Sequence, residues 1–137
     1  SGFNSSGDKW VIGIQDPNVQ RSLNKSQYSE SNPYTLIKIS DVSIATSGDY
    51  RNYYDFNGTR YSHIISPKTG YPIQNNISSV SVLSKKCLNA DALATALMVM
   101  NVDDGIKLTE SLDGYESFYI LKDNTTRYSS GFKDYLN

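Results

Sequence analysis

The stretch from Asn89 to Met100 constrains the fold of this chain more than any other. It contains no glycine or proline and is rich in alanine and leucine, the residues that lose least on entering a helix. A helix is therefore expected over 89–100. Asn89 is its expected N-cap, because the side-chain oxygen can accept a free amide proton of the first turn. Asp91 is then expected in that turn, where the helix dipole favours a negative charge. Thr95 follows four residues later, which places its hydroxyl on the same face as the Asp91 carboxylate. A carboxylate and a hydroxyl brought together near a helix start form half a site for a hard divalent cation. The plainer alternative is that Asp91 only caps and Thr95 only packs.

The 137 residues are enough for one domain with a real core. Thirteen basic and fourteen acidic residues leave a net charge of -1, without a basic stripe, so nucleic acid and anionic membrane surfaces are disfavoured as partners. The single cysteine, Cys87, cannot form an intrachain disulfide; with no obvious activating partner in the sequence it reads as a packed residue, not a nucleophile. No apolar run approaches the length of a membrane span. The chain begins Ser1, Gly2, Phe3 without a methionine, as a processed protein or a piece of a longer one would.

Taken in order, Trp10 to Gln15 reads as a strand closed by Asp16, Pro17 and Asn18. Val19 to Pro33 is polar and weakly patterned, as in a hairpin or loop. Tyr34 to Ile39 and Val42 to Thr46 read as strands, the second stopped at Ser47, Gly48 and Asp49. Asn57-Gly58 is a tight-turn dipeptide leading into a strand from Arg60 to Ile65. Ile77 to Ser84 alternates apolar and polar residues and predicts a strand with one solvated face. A second helix is expected from Val102 to Leu112, with Gly114 at its stop. Phe118 to Leu121 and Arg127 to Ser129 read as strands, and Phe132 to Leu136 as a short helix. Antiparallel strands with helices on one side make this an α+β domain.

Three segments join small residues to polar groups at strand or helix ends. In the first, from Ala45 to Tyr50, Gly48 permits close backbone approach, and the Thr46 and Ser47 hydroxyls with nearby amides suit a phosphate. A plain turn has the same composition. The second runs from His63 to Pro72 and holds the single histidine, a residue that is a structural hydrogen-bonder more often than a catalyst. Pro67, Gly70 and Pro72 fix the loop's shape, as either a ligand-lining loop or a structural turn requires. The third is the Asp91 and Thr95 pair. Two ligands do not complete a metal site; carbonyls, water or substrate phosphate must supply the rest, which points to magnesium and a phosphorylated ligand.

Taken together and in this order, Trp10–Pro17, Ile44–Tyr50, Tyr61–Pro72 and Ala90–Ala96 resemble the ApbE family of FAD:protein FMN transferases. The resemblance implies a T-fold-like α+β domain, here the C-terminal part of a longer catalytic domain, with FAD bound as substrate. It implies Mg2+ held by Asp91 and Thr95, and FAD lined by Thr46, Ser47, Gly48, Asp49, His63, Thr69 and Gly70. Asp91 and His63 would be the catalytic pair, His63 either as base toward the incoming hydroxyl or as a positioning group for the flavin. The implied reaction passes FMN from FAD to a threonine or serine of an acceptor flavoprotein and releases AMP. The alternatives are hydrolysis of FAD to FMN and AMP, or a non-catalytic module that binds flavin or a partner. The family resemblance further implies an exported bacterial protein, periplasmic or on the outer face of the cytoplasmic membrane through a lipid anchor, and a homo-oligomer is compatible with it. The family pattern favours aspartate where this chain carries Ser66.

Overall fold

A computed structural model describes residues 2–17, 33–50 and 53–137. Strand β1 (Trp10–Gln15) pairs antiparallel with β2 (Pro33–Ile39), and β4 (Tyr53–Phe56) pairs with β5 (Thr59–Ser62) across the Asn57-Gly58 turn. Both turn residues have positive φ, as this tight hairpin requires. The larger sheet is four-stranded and antiparallel, in the order β3 (Ser43–Gly48), β6 (Ile77–Ser84), β7 (Glu116–Leu121), β8 (Thr126–Tyr128). Helices α1 (Cys87–Met98) and α2 (Val102–Glu110) join β6 to β7, and a 3-10 helix (Phe132–Tyr135) follows β8. The predicted α+β architecture is the one observed. The weakly patterned stretch after Pro17 lies outside the described residues up to Pro33, where β2 begins.

Strand alternation divides the core into two layers. Val80 and Val82 of β6 and Tyr119 and Leu121 of β7 face α1, where Ala90, Ala94, Leu97 and Met98 are fully buried. Those four recur at the spacing of one helix face. Burying Leu97 and Met98 contributes about 2 kcal/mol each from apolar area alone. On the other face, Leu83, Phe118 and Ile120 pack against Ile14 of β1, Ile37 and Ile39 of β2, and Phe132. The sheet is thus covered on both sides.

This covering corrects the reading of β6. All eight of its residues are buried, including Ser78, Ser79, Ser81 and Ser84, so it has no solvated face. The serines are small enough to be buried, and two of them have partners: Ser81 Oγ lies 2.7 Å from Thr46 Oγ1, and Ser84 Oγ donates to the Lys86 carbonyl at 2.8 Å, while the Ser78 hydroxyl has no partner among the described residues. Strand β3 continues through Gly48, past the expected stop, because Ser47 and Gly48 still pair with Val80 and Ser79. Helix α2 ends at Glu110 with Ser111 as C-cap, and Gly114 at φ 75 turns the chain before β7.

Helix α1 also starts earlier than expected. Its N-cap is Lys86, without a side-chain cap bond, and no acidic residue lies in its first turn. Ser84 Oγ accepts from Lys86 N and donates to its carbonyl, which fixes the junction two residues after the strand. Asn89 therefore does not cap; its amide donates to the Tyr115 hydroxyl at 2.9 Å. Cys87, expected to be packed, is exposed at the helix start. No helix among the described residues is long and apolar enough to cross a membrane.

Candidate functional site

Helix α1 runs back along β6, so its last turn reaches the end of the sheet where β3 finishes and β6 begins. There Ser47 Oγ lies 2.9 Å from Thr95 Oγ1, and the Thr95 hydroxyl also reaches the Asp91 carbonyl at 3.2 Å. Two of the three segments singled out in the sequence thus meet through a single hydroxyl pair. Asp91 is exposed, and the pair lies in the middle and last turn of α1, not at its start. The helix dipole therefore gives no N-terminal support to an anion; its negative end, close to Thr95, favours a cation.

Thr46 and Ser47 do not share a phosphate. They are consecutive in β3, so their side chains leave opposite faces. The Ser47 hydroxyl meets α1. The Thr46 hydroxyl meets Ser81 and borders a crevice of about 220 Å³ between β3 and β1, lined by Ile12, Ile14, Ile44 and Tyr50 among others. Gly48 has a packing reason to be glycine. A Cβ there would overlap the Tyr50 ring and come within 3.2 Å of the Ser78 carbonyl.

The loop from Ile64 to Ile73 closes on itself. Ser66 N donates to the Tyr71 carbonyl at 2.9 Å, Gly70 N to the Ser66 carbonyl at 2.8 Å, and Ile73 N to the Ile64 carbonyl at 3.0 Å. Gly70 takes φ 71, a conformation that costs other residues. Ser66 Oγ accepts from Lys68 N at 3.3 Å, so its hydroxyl holds the turn. This loop walls a cleft of about 520 Å³ whose lining includes Tyr61, Thr69, Tyr71, Asn75 and Val99. Tyr61 is held by stacking on Tyr54, ring centroids 5.2 Å apart. His63 is exposed at the bend after β5 and does not line the cleft.

Two residues not singled out in the sequence tie these parts together. Asn75 donates from Nδ2 to the Met98 carbonyl at 2.7 Å and accepts from Ile77 N at 3.1 Å, joining the cleft to the end of α1. Lys122 follows β7; its Nζ donates to the Asn75 carbonyl at 2.6 Å and lies 3.4 Å from Asp49 Oδ2. Neither belongs to a motif, and contacts between residues 47 and 73 positions apart leave no periodic trace in a sequence.

For a cation, the donors here are the Asp91 carboxylate and the Thr95 and Ser47 hydroxyls. No group of three or more His, Cys, Asp or Glu able to hold a metal occurs among the described residues. An all-oxygen, incomplete set fits a hard ion that keeps water and substrate oxygens as ligands, and does not fit one needing a closed cage.

The sequence matches the ApbE family over residues 1–119. The chain belongs to the ApbE family. It is 44% identical over 140 aligned residues to the FAD:protein FMN transferase of Vibrio cholerae, an alignment covering 99% of this chain and 39% of that protein. It is 36% identical to the FAD:protein FMN transferase of Haemophilus influenzae, covering 96% of this chain and 36% of that one. Among solved structures, the ApbE protein of Thermotoga maritima superposes with a TM-score of 0.80 at 28% identity, over 99% of this chain and 41% of that one. The flavin transferase ApbE of Vibrio cholerae gives 0.74 at 41% identity, over 99% and 40%. The chain thus spans about two fifths of the length of the ApbE relatives it matches.

Proposed function

We propose that this chain forms one wall of the active site of an FAD:protein FMN transferase. The observation that carries the reading is the Ser47–Thr95 contact. It joins the end of β3 to the helix with the exposed carboxylate, at the sheet end where Asn75 connects the self-closed loop and its cleft. Two segments suited to phosphate and cation chemistry meet there beside a cleft lined by aromatic and amide groups. The names of the relatives support the same reading.

In the proposed reaction, the hydroxyl oxygen of an acceptor threonine or serine attacks the FMN phosphorus of FAD. The bridging P–O bond breaks, AMP leaves with the bridging oxygen, and the hydroxyl proton goes to a base. Asp91 and Thr95 would hold Mg2+, which when bound offsets the negative charge developing on the pyrophosphate. Ser47 orients the Thr95 hydroxyl. The Gly48–Asp49 turn and Thr69 with Gly70 border the space for FAD. His63, exposed before the loop, takes the acceptor proton. The acceptor is a flavoprotein met outside the cytoplasm, the chain belonging to a lipid-anchored exported protein.

The test is FAD titration of the protein with and without Mg2+, following flavin fluorescence and AMP release with an acceptor protein present. Mg2+-dependent AMP release with flavin transferred to the acceptor is expected. Asp91→Ala should reduce it by more than about 100-fold. Turnover unchanged in Asp91→Ala would refute the assignment of the carboxylate. AMP release without flavin on the acceptor would make the activity hydrolytic instead.

A further inference from the structure

The Asn75 side chain ties the end of α1 to the cleft. Helix termini leave carbonyls without intrahelical partners. In α1 the Ala96 and Leu97 carbonyls accept from Val99 N and Met100 N, each at 3.2 Å. The carbonyl of Met98, the last helical residue, accepts instead from Asn75 Nδ2 at 2.7 Å. Met98 lies three residues beyond Thr95, so this bond is made within one turn of the hydroxyl proposed to hold the cation. The next residue, Val99, lines the cleft together with Asn75. Asn75 is itself fixed from the sheet. Its Oδ1 accepts from Ile77 N, the first residue of β6, at 3.1 Å, and its carbonyl accepts from Lys122 Nζ at 2.6 Å. Lys122 N donates to the neighbouring Asn76 carbonyl at 2.8 Å. The sheet thus holds Asn75, and Asn75 holds the helix end. An amide that donates from one side and accepts on the other cannot turn without losing both bonds.

We propose that Asn75 is a positioning residue that sets the last turn of α1, and with it the Thr95 hydroxyl, against the cleft wall. The role rests on the transferase reading, in which the FAD pyrophosphate reaches from the cleft to a cation held by Asp91 and Thr95. The separation of wall and helix then decides how well pyrophosphate and cation meet, while the cleft's grip on the flavin is unaffected. Asn75 acts through α1 and bonds to neither metal nor substrate. Removing a group that orients a metal's ligand from outside commonly weakens metal binding about 10- to 100-fold.

The experiment measures FAD affinity by flavin fluorescence, without and with Mg2+ and with no acceptor present, so that flavin transfer plays no part. The ratio of the two affinities is the gain due to Mg2+. Asn75→Ser keeps an acceptor for Ile77 N but is too short to reach the Met98 carbonyl, and it adds no charge. It should leave the Mg2+-free affinity within about twofold and lower the gain about tenfold. Asn89→Ala is the control: it removes a bond of similar length, from Asn89 Nδ2 to the Tyr115 hydroxyl at 2.9 Å, at the other end of α1. Its gain should match the parent's. In the ligand-free protein, the Val99 and Met100 amides should exchange faster in Asn75→Ser and unchanged in Asn89→Ala.

A parent-like gain in Asn75→Ser would overturn the proposal while leaving the transferase reading intact. So would a weaker Mg2+-free affinity with the gain unchanged, which would make Asn75 a direct contact of the flavin. An equal loss of gain in Asn89→Ala would also overturn it, because loosening α1 anywhere would then suffice. A parent protein that binds no FAD, or binds it with no gain from Mg2+, would overturn the functional reading and this inference with it. Asn75→Thr, which carries the same acceptor on a β-branched frame suited to a strand, is a second variant, and thermal melts confirm that each variant is folded.

Discussion

Tyr119 and Gly105 offer a sharp test of the packing between the sheet and α2. Tyr119 is fully buried in β7, and its hydroxyl lies against Gly105, where a Cβ would overlap it and come within 3.1 Å of Leu97 Cδ2. The hydroxyl has no hydrogen-bond partner among the described residues. Ser117 gives it only a weak polar contact, and burial raises the phenol far above its ordinary value of 10.0. Gly105→Ala alone gains about 1 kcal/mol of helix propensity but pays about 1–3 kcal/mol for overpacking, so it should be neutral to destabilising. Tyr119→Phe removes a buried, unpartnered hydroxyl and should stabilise by about 1 kcal/mol. In the double variant the alanine methyl occupies the space the hydroxyl vacates. The propensity gain then appears, and the two changes should couple favourably by about 1–2 kcal/mol. Denaturant unfolding of the parent and the three variants measures this directly. Coupling below about 0.3 kcal/mol would refute the contact, because independent sites add to within that margin. The same group sets a signature in alkali. Because its folded pKa is raised, its contribution to stability is present below the unfolded value of 10.0 and is lost as pH rises above that value. Tyr119→Phe should be spared that particular loss.

Gly70→Ala places a side chain at φ 71 and should cost about 1 kcal/mol. Because open space surrounds that position, the loss should appear as faster amide exchange within the Ile64–Ile73 loop, with the core amides unchanged. Asp123 accepts from Thr125 N and Oγ1 at 3.0 and 2.6 Å, which holds its carboxyl below the ordinary value. Its folded pKa being depressed, the ordering of the β7–β8 turn is present above the ordinary carboxylate range and is lost as pH falls through the folded value. The Thr125 amide resonance should report this, and Asp123→Asn should flatten the response.

Much of the architecture was legible because it is local. Trp10–Gln15 was read to the residue, since a turn signal closes it. The apolar character of 89–100 gave α1 but shifted its start, because Ser84, a residue of the preceding strand, fixes the junction at Lys86. Alternation in β6 suggested a solvated face, because serine is polar by type; the second layer built from β1, β2 and the 3-10 helix decides otherwise. For the site, the motifs were visible but their assembly was not. Strand parity separated Thr46 from Ser47 once β3 was seen to run through Gly48. Asn75 and Lys122 act through backbone carbonyls and long-range contacts, for which residue type alone carries no signal.

The two-residue junction between β6 and α1 bears on how this chain can vary in length. The strand is anchored on both sides and the helix begins as soon as Ser84 has clasped Lys86, so no slack lies between them. One residue inserted at Lys85 would turn α1 by about 100° relative to the sheet, carrying Asp91 and Thr95 away from Ser47 and driving Ala92 and Ala96 toward the core. Length changes should therefore be excluded at this junction and tolerated at the Asn57-Gly58 hairpin, whose exposed tip can grow without changing the phase of any element that carries the site.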